Sequence, residues 1–252
     1  MNDDTPLAAC FAALSADLLN APGDLTCQRV VDRAVEVVPG ADRAGITLRG
    51  KRGRPTTVAA TDEIVELLDK EQYALREGPC LDAAGEEPYR VASDLHADQR
   101  WPRWAPYAVD LDVRSVLSLR LHTGSRTLGA LNLYAAGPGA FDRQAFDVAA
   151  VFTIHATEAL RTSALISDLR AALESRHVIG TAQGLLAARY DLSYEAAFAV
   201  LRRFSNETNT PLREVAERVM ETRDLPSAPT SRDVAGARGA GDEEDGGPAA
   251  SR

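Results

Sequence analysis

The spacing of apolar positions changes along the chain, and those changes divide it. Over Pro6–Asn20 ("PLAACFAALSADLLN"), Leu7, Cys10, Phe11, Leu14 and Leu18 recur at helical spacing, and Pro6 suits a first helical turn. Pro22, Gly23 and Asp24 break the pattern, and Asp24 can cap a second helix, "LTCQRVVDRAVEVV", which stops before Pro39 and Gly40. Two strands are then expected, Asp42–Lys51 and Pro55–Thr61, with "RGR" as the turn between them. A charged helix follows over Asp62–Tyr73. Gly78, Pro79, Gly85 and Pro88 make "REGPCLDAAGEEPYRVASDL" mostly loop, with a short helix and a strand near Tyr89–Ala92. Asp98–Val113 reads as a short helix carrying Trp101 and Trp104. Ser115–Thr123 and Thr127–Ala135 alternate, joined by "TGSR"; Val116, Ser118 and Arg120 are expected outward, opposite Leu117, Leu119 and Leu121. Hairpin-linked strands with helices before and after them predict an α+β domain, its helices on one face of an antiparallel sheet.

From Asp142 to Arg176 there is no Gly or Pro, and the stretch exceeds an ordinary globular helix. Ile166, Leu169 and Leu173 fit an a/d seam that Phe152 and Ala159 extend backwards, though His155 and Thr162 lie on it too. Next comes "RHVIGTAQGLLAARYDLSYEAAFAVLRRFS" (Arg176–Ser205), which reads as two short helices and a turn. The first buries Ile179, Ala182 and Leu186; the second, capped by Ser193 with Glu195 in its first turn, presents Ala197, Val200, Leu201 and Phe204. A third starts after Thr210 as cap and Pro211, showing Leu212, Val215, Ala216, Val219 and Met220. Three single-stripe helices close a bundle, small enough to need support from the preceding helix or a partner chain. Beyond Leu225, "PSAPTSRDVAGARGAGDEEDGGPAASR" has the composition of a disordered tail. The expected organisation is therefore 1–160, a connecting helix over 161–174, a helical domain over 175–223, and a tail over 224–252.

Charge sharpens this division. The chain carries a net charge of −9, yet residues 170–223 hold 8 Lys/Arg against 7 Asp/Glu and are the one segment that is not acidic. Any grip on phosphates must therefore be local and salt-sensitive. The 3 cysteines and 4 histidines are scattered, without metal-ligand spacing or a disulfide framework, so no metal is expected. No run approaches the ~20 apolar residues of a membrane helix, and an acidic start argues against a secretory signal; the expected location is the cytoplasm. Phosphate-binding glycine loops, His-Glu-x-x-His and Gly-x-Ser-x-Gly are absent from the sequence, so no enzyme is expected. Cys80, in "EGPCLDA", is read either as a pocket-lining thiol or as a small buried hydrophobe.

Helix order, the loop "REGPCLDAAGEEPYRVASDL" and the paired strands "SVLSLRLH" and "TLGALNLYA" give residues 1–160 a resemblance to GAF domains, small-molecule-sensing modules of bacterial signalling proteins. The resemblance implies a pocket between the sheet and its cover, with Cys80, Leu81, Trp101, Trp104, Tyr107 and Leu117 as candidate lining residues. Cofactor-binding residues of particular GAF subfamilies are not evident, and none is assigned. The segment Ser175–Glu221 is similar to ANTAR domains through Ile179, Ala182 with Gly184, Leu185-Leu186, Ser193 with Ala196-Ala197, Leu201-Arg202-Arg203 and Leu212-Arg213-Glu214-Val215-Ala216. Where many members carry a basic residue between Ala and Gly, this chain has Gln183, which removes a charge and leaves an amide able to bond a base edge. That resemblance implies binding to stem-loops of nascent RNA, as a dimer, to prevent a terminator from forming. The candidate RNA-binding residues are Arg176, Gln183, Gly184, Arg189, Arg202, Arg203 and Arg213, since guanidinium planes and amides suit unstacked bases and phosphates.

The expected function is a GAF sensor, open to a small molecule or a signalling partner, coupled to an RNA-binding antitermination domain in a homodimer. The alternative is a dimerising protein-interaction regulator whose helical bundle binds no RNA.

Overall fold

The computed structural model describes residues 23–50, 54–83, 85, 87–124 and 126–225. The expected helix Pro6–Asn20, the start of the "RGR" turn and the tail beyond Leu225 lie outside these residues. The described residues form two compact units, which divide between Ser167 and Asp168.

The first unit begins with α1 (Gly23–Val37) and the hairpin β1 (Arg43–Arg49) and β2 (Pro55–Ala60). Helix α2 (Glu63–Leu75) follows, its start fixed by the Asp62 carboxylate accepting from Val65 N at 3.2 Å. Then come α3 (Pro79–Ala83), β3 (Tyr89–Ala92), α4 (Trp104–Asp110), β4 (Ser115–Thr123) and β5 (Arg126–Ala135). The strands form one antiparallel sheet in the order β2-β1-β5-β4-β3. The α+β class and the antiparallel sheet flanked by helices are as the alternation foretold.

One expectation is overturned. Helices cover both faces of the sheet, not one. Leu117, Leu119, Leu121, Leu131 and Leu133 pack with Val30, Val31 and Ala34 of α1 and with Ala145, Ala149, Phe152 and Ala156 of the helix that follows β5. Val116 and Tyr134 face the opposite way, into a second core with Val65 and Leu68 of α2 and with Trp101, Trp104, Ala105 and Ala108 at α4. Val116 and Ser118, expected outward, are therefore fully buried. The alternation along β4 was real, but both of its faces are interior.

Gly129 lets β5 approach β1. A Cβ there would lie 1.8 Å from Thr47 O and 2.8 Å from Leu48 Cα, both backbone atoms that cannot swing aside.

Helix α5 (Arg143–Tyr190) runs 48 residues without interruption, so the separate helix expected to begin near Arg176 is a continuation. Gly180 and Gly184 each cost a helix about 1 kcal/mol relative to alanine, and no proline intervenes, so nothing stops propagation until Asp191, which adopts a left-handed conformation. The heptad reading also divides. Phe152 and Ala159 belong to the sheet core, whereas residues 164–174 are all exposed, among them Leu165, Ile166, Leu169 and Leu173.

In the second unit, the end of α5 packs with α6 (Tyr194–Thr208) and α7 (Leu212–Thr222). Its core is the one read from the stripes: Ala182, Leu186, Ala197, Leu201, Val215, Ala216 and Val219 are buried, with Ile179, Val200, Phe204, Leu212 and Met220 packed around them. Ser193 Oγ accepts from Ala196 N at 3.1 Å and caps α6 as expected. Thr210 does not cap α7. Pro211 holds that position, and the Thr210 hydroxyl donates backward to Thr208 O at 3.3 Å.

Gly129→Ala is expected to lower the unfolding free energy by about 3 kcal/mol, the upper end of ordinary overpacking. Urea titration followed by tryptophan fluorescence measures it; a loss below about 0.5 kcal/mol would contradict the close approach of β1 and β5.

Candidate functional site

The face of the sheet beneath α2 and α4 holds most of the residues expected to line a pocket, and there they are packed interior. Trp101 is 2% exposed and Trp104 fully buried. Their rings meet edge to face, with centroids 6.0 Å apart. Each indole N–H is satisfied: Trp101 Nε1 donates to Asp82 Oδ2 at 3.0 Å and Trp104 Nε1 to Leu68 O at 3.1 Å. Cys80, at the start of α3, is buried, and its backbone N–H donates to Gln72 Oε1 at 2.9 Å. Burial pushes its thiol up to about 12, with the Asp69 charge adding to the effect. A thiol held so far from ionisation is no nucleophile at neutral pH. Leu81 is half-buried, and Tyr107 packs against the Trp101–Trp104 cluster. Leu117 is not brought to them; it points into the core on the other face. An apolar hollow of about 790 Å³ lies on that other face, between α5 and β4, lined among others by Tyr89, Leu119, Phe146, Ala150 and Ile154.

Among these cover residues sits a polar cluster that the sequence reading missed. Asp69, fully buried on α2, accepts from Thr47 Oγ1 (3.2 Å), Thr57 Oγ1 (2.7 Å), Tyr134 Oη (3.1 Å) and Gln72 Nε2 (3.2 Å). Tyr73 Oη lies 2.9 Å from both threonine hydroxyls. Thr47, Thr57 and Tyr73 thus make four oxygen–oxygen contacts among themselves and with the carboxylate, but bring only three protons. A proton on Asp69 would complete the count. Burial raises the Asp69 carboxyl from 3.8 to about 6, against the opposing effect of its hydrogen bonds from Thr57, Tyr134, Thr47 and Tyr73. Nearby, Asn132 Oδ1 and Ser118 Oγ are buried without a hydrogen-bond partner. Two signals could have revealed the cluster. Asp69 and Gln72 fall on the same face of α2 as Val65 and Leu68, and Asn132 interrupts an apolar strand.

In the second unit the sequence-predicted residues spread over its surface. Arg176 and Arg202 are exposed and, among the described residues, carry no ion pair. Arg203 Nε is 3.7 Å from Glu207, Arg213 Nε donates to Glu217 at 2.8 Å with Glu174 3.9 Å away, and Arg189 Nη2 donates to Asp224 at 2.9 Å. Exposed pairs of this kind contribute little and yield readily to a phosphate. Gln183 Nε2 donates to Tyr194 O at 2.7 Å, joining α5 to the start of α6. At Gly184 the close neighbour is Tyr194, whose hydroxyl would lie 3.4 Å from a Cβ there.

Comparison with known proteins agrees with this division. A family model described as a GAF domain matches residues 24–161, and one described as an ANTAR domain matches residues 167–220. Similar solved structures include the GAF domain of an Acinetobacter phosphoenolpyruvate-protein phosphotransferase (11% identity, TM-score 0.51, covering 67% of this chain and 99% of that one). The corresponding GAF domain from Coxiella burnetii is 17% identical, with TM-score 0.51 and coverage of 68% and 98%. The bacteriophytochrome RpBphP3 from the photosynthetic bacterium R. palustris is 11% identical, with TM-score 0.53; 74% of this chain is covered, and it spans 43% of that protein. These likenesses are of fold. No curated protein matches the chain in sequence.

The Asp69 cluster gives a pH dependence with a definite sign. The folded state holds the Asp69 proton up to about 6, while the unfolded chain releases it near 3.8. Stability therefore falls as pH rises through that interval, by about 3 kcal/mol in all. Asp69→Asn carries its own N–H donors and does not ionise. Its stability advantage over the wild type should grow from pH 4 to pH 6 and then level, as read by urea unfolding at a series of pH values; a difference flat with pH would refute the assignment.

Proposed function

As a chain that belongs to the GAF-domain family and carries an ANTAR domain, this protein is, we propose, a cytoplasmic signal-responsive regulator. Its C-terminal unit binds stem-loops in nascent RNA and thereby acts in transcription antitermination. The observation that carries the reading is the division of labour in that unit. Its core is closed by one apolar stripe from each of three helices, and Arg176 and Arg202 remain exposed without an ion pair among the described residues. Cations left unneutralised on a surface attract phosphates and release counterions on binding. Arg189, Arg203 and Arg213 stand in exposed pairs and supplement them.

The N-terminal unit senses a small molecule or a signalling partner. What supports this role is a covered sheet face on which polar groups converge among aromatic side chains, with Asn132 Oδ1 and Ser118 Oγ left there without hydrogen-bond partners.

The protein acts as a homodimer. Leu165, Ile166, Leu169 and Leu173 are 37–66% exposed on a stretch of α5 that is bare to solvent, and apolar residues at such spacing pair with a second helix. Two linked RNA grips raise apparent affinity without any additional interaction. Among the described residues no helix is long and apolar enough to cross a membrane.

Two measurements test the reading. In gel shifts with a double stem-loop RNA across a salt series, the logarithm of affinity should fall linearly with the logarithm of salt concentration. Arg176→Ala/Arg202→Ala should flatten the slope by about two, one for each phosphate that the variant no longer neutralises; a slope near zero in the wild type would count against RNA binding. In sedimentation equilibrium, Leu169→Glu/Leu173→Glu should convert a dimer into a monomer, and an unchanged mass would remove α5 as the seam.

A further inference from the structure

The first residue of α6 is a tyrosine left 55% exposed. Its position is nonetheless fixed. Tyr194 Oη donates to Gly180 O at 3.4 Å, and its backbone carbonyl accepts from Gln183 Nε2 at 2.7 Å. The ring therefore reaches from the start of α6 back along the face of α5 that carries Gly180 and Gly184. A Cβ built on Gly180 would meet nothing within 4 Å, so the surface beside the ring is open, floored by bare helix backbone. Arg176 lies one turn before Gly180 on that same face of α5, exposed and without an ion pair among the described residues.

We propose that Tyr194 is a stacking platform for an unpaired base of the bound RNA. The base lies against the exposed side of the ring in the slot above Gly180, and Arg176 takes the adjoining phosphate. The proposal rests on the RNA-binding reading and adds to it a site for a base, which the arginines alone do not provide. The chemistry suits the place. A tyrosine offers a flat π-face at low entropic cost because only two side-chain torsions must be fixed, and here both ends of the residue are already held. Every base has a π-face, so stacking tolerates sequence and depends on the base being unpaired. An open slot bordered by one aromatic ring and one cation fits a loop nucleotide; a duplex presents no free base to it.

The test uses the full chain and hairpin RNAs with one fixed stem and either a randomised loop or a loop of abasic nucleotides. Tyr194→Leu keeps an apolar side chain and removes the π-face. It should weaken binding to the base-bearing loop about tenfold and change binding to the abasic loop less than about twofold. Tyr194→Phe should stay within about twofold of the wild type on both. Gly180→Leu, which improves helix propensity, should fill the slot and weaken binding to base-bearing loops without lowering the melting temperature. If Tyr194→Leu or Gly180→Leu binds the base-bearing loop as the wild type does, the platform is refuted while RNA binding stands. Equal weakening of Tyr194→Leu on both loops would assign the tyrosine to holding the fold and overturn the proposal. Failure of the wild type to bind either hairpin would overturn the RNA reading, and this inference with it.

Discussion

Water is kept from both faces of the five-stranded sheet, and the design of the N-terminal unit follows from that exclusion. A sheet buried on both sides needs two covers. One is α1 with the first part of α5, meeting an all-aliphatic face of Leu117, Leu119, Leu121, Leu131 and Leu133. The other is α2, α3 and α4, meeting a face where strands also contribute Thr47, Ser118, Asn132 and Tyr134. Polar groups removed from water must find partners or lose about 1–3 kcal/mol each. The hydroxyl cluster around Asp69 meets that requirement in part, and Asn132 Oδ1 and Ser118 Oγ mark where it is not met. The two covers thus differ in kind: one is a conventional core, the other a polar interior held by a carboxyl group shared among three elements.

The C-terminal unit obeys a simpler rule. Its helices are short and its core small, so nearly every apolar residue of α6 and α7 is committed to packing. Charged side chains, Tyr190 and Tyr194 stay exposed on its surface, as do Leu169 and Leu173 on the stretch of α5 before the bundle. Gln183 illustrates how one side chain can serve the fold: its amide ties α5 to the first residue of α6, a link that a lysine at the same position would make with a different donor and a full charge.

How far the sequence could be read depended on whether one period explained a segment. Ala182, Leu186, Ala197, Leu201, Val215, Ala216 and Val219 were legible because each helix of the bundle is wet on one side and dry on the other. The strands were legible as strands but not in their surroundings. Ser118 and Arg120 in β4 mimic a solvated face, and nothing local says that a second cover lies over Ser118. The unbroken course of α5 was hidden by Gly180 and Gly184, which look like punctuation in a sequence and are carried by a helix already propagating on both sides. Asp69 was obscured because it sits in "DEIVELLDKEQY", where acidic residues read as surface; only its register with Val65 and Leu68 betrays it. The expected pocket residues were legible as a neighbourhood, with Leu117 excepted, because period two sends it to the opposite face from Val116.

The packing of Trp101, Trp104 and Cys80 sets the terms on which anything else can enter that neighbourhood. Protein atoms already occupy the volume, and both indole N–H groups there are bonded already, to the Asp82 carboxylate and to Leu68 O. An incoming molecule must evict those side chains and replace the bonds they give up, so its observed affinity is its intrinsic one diminished by the work of clearing the space. Occupancy and rearrangement of the cover are then a single event: no guest can be housed there with the cover left as it was.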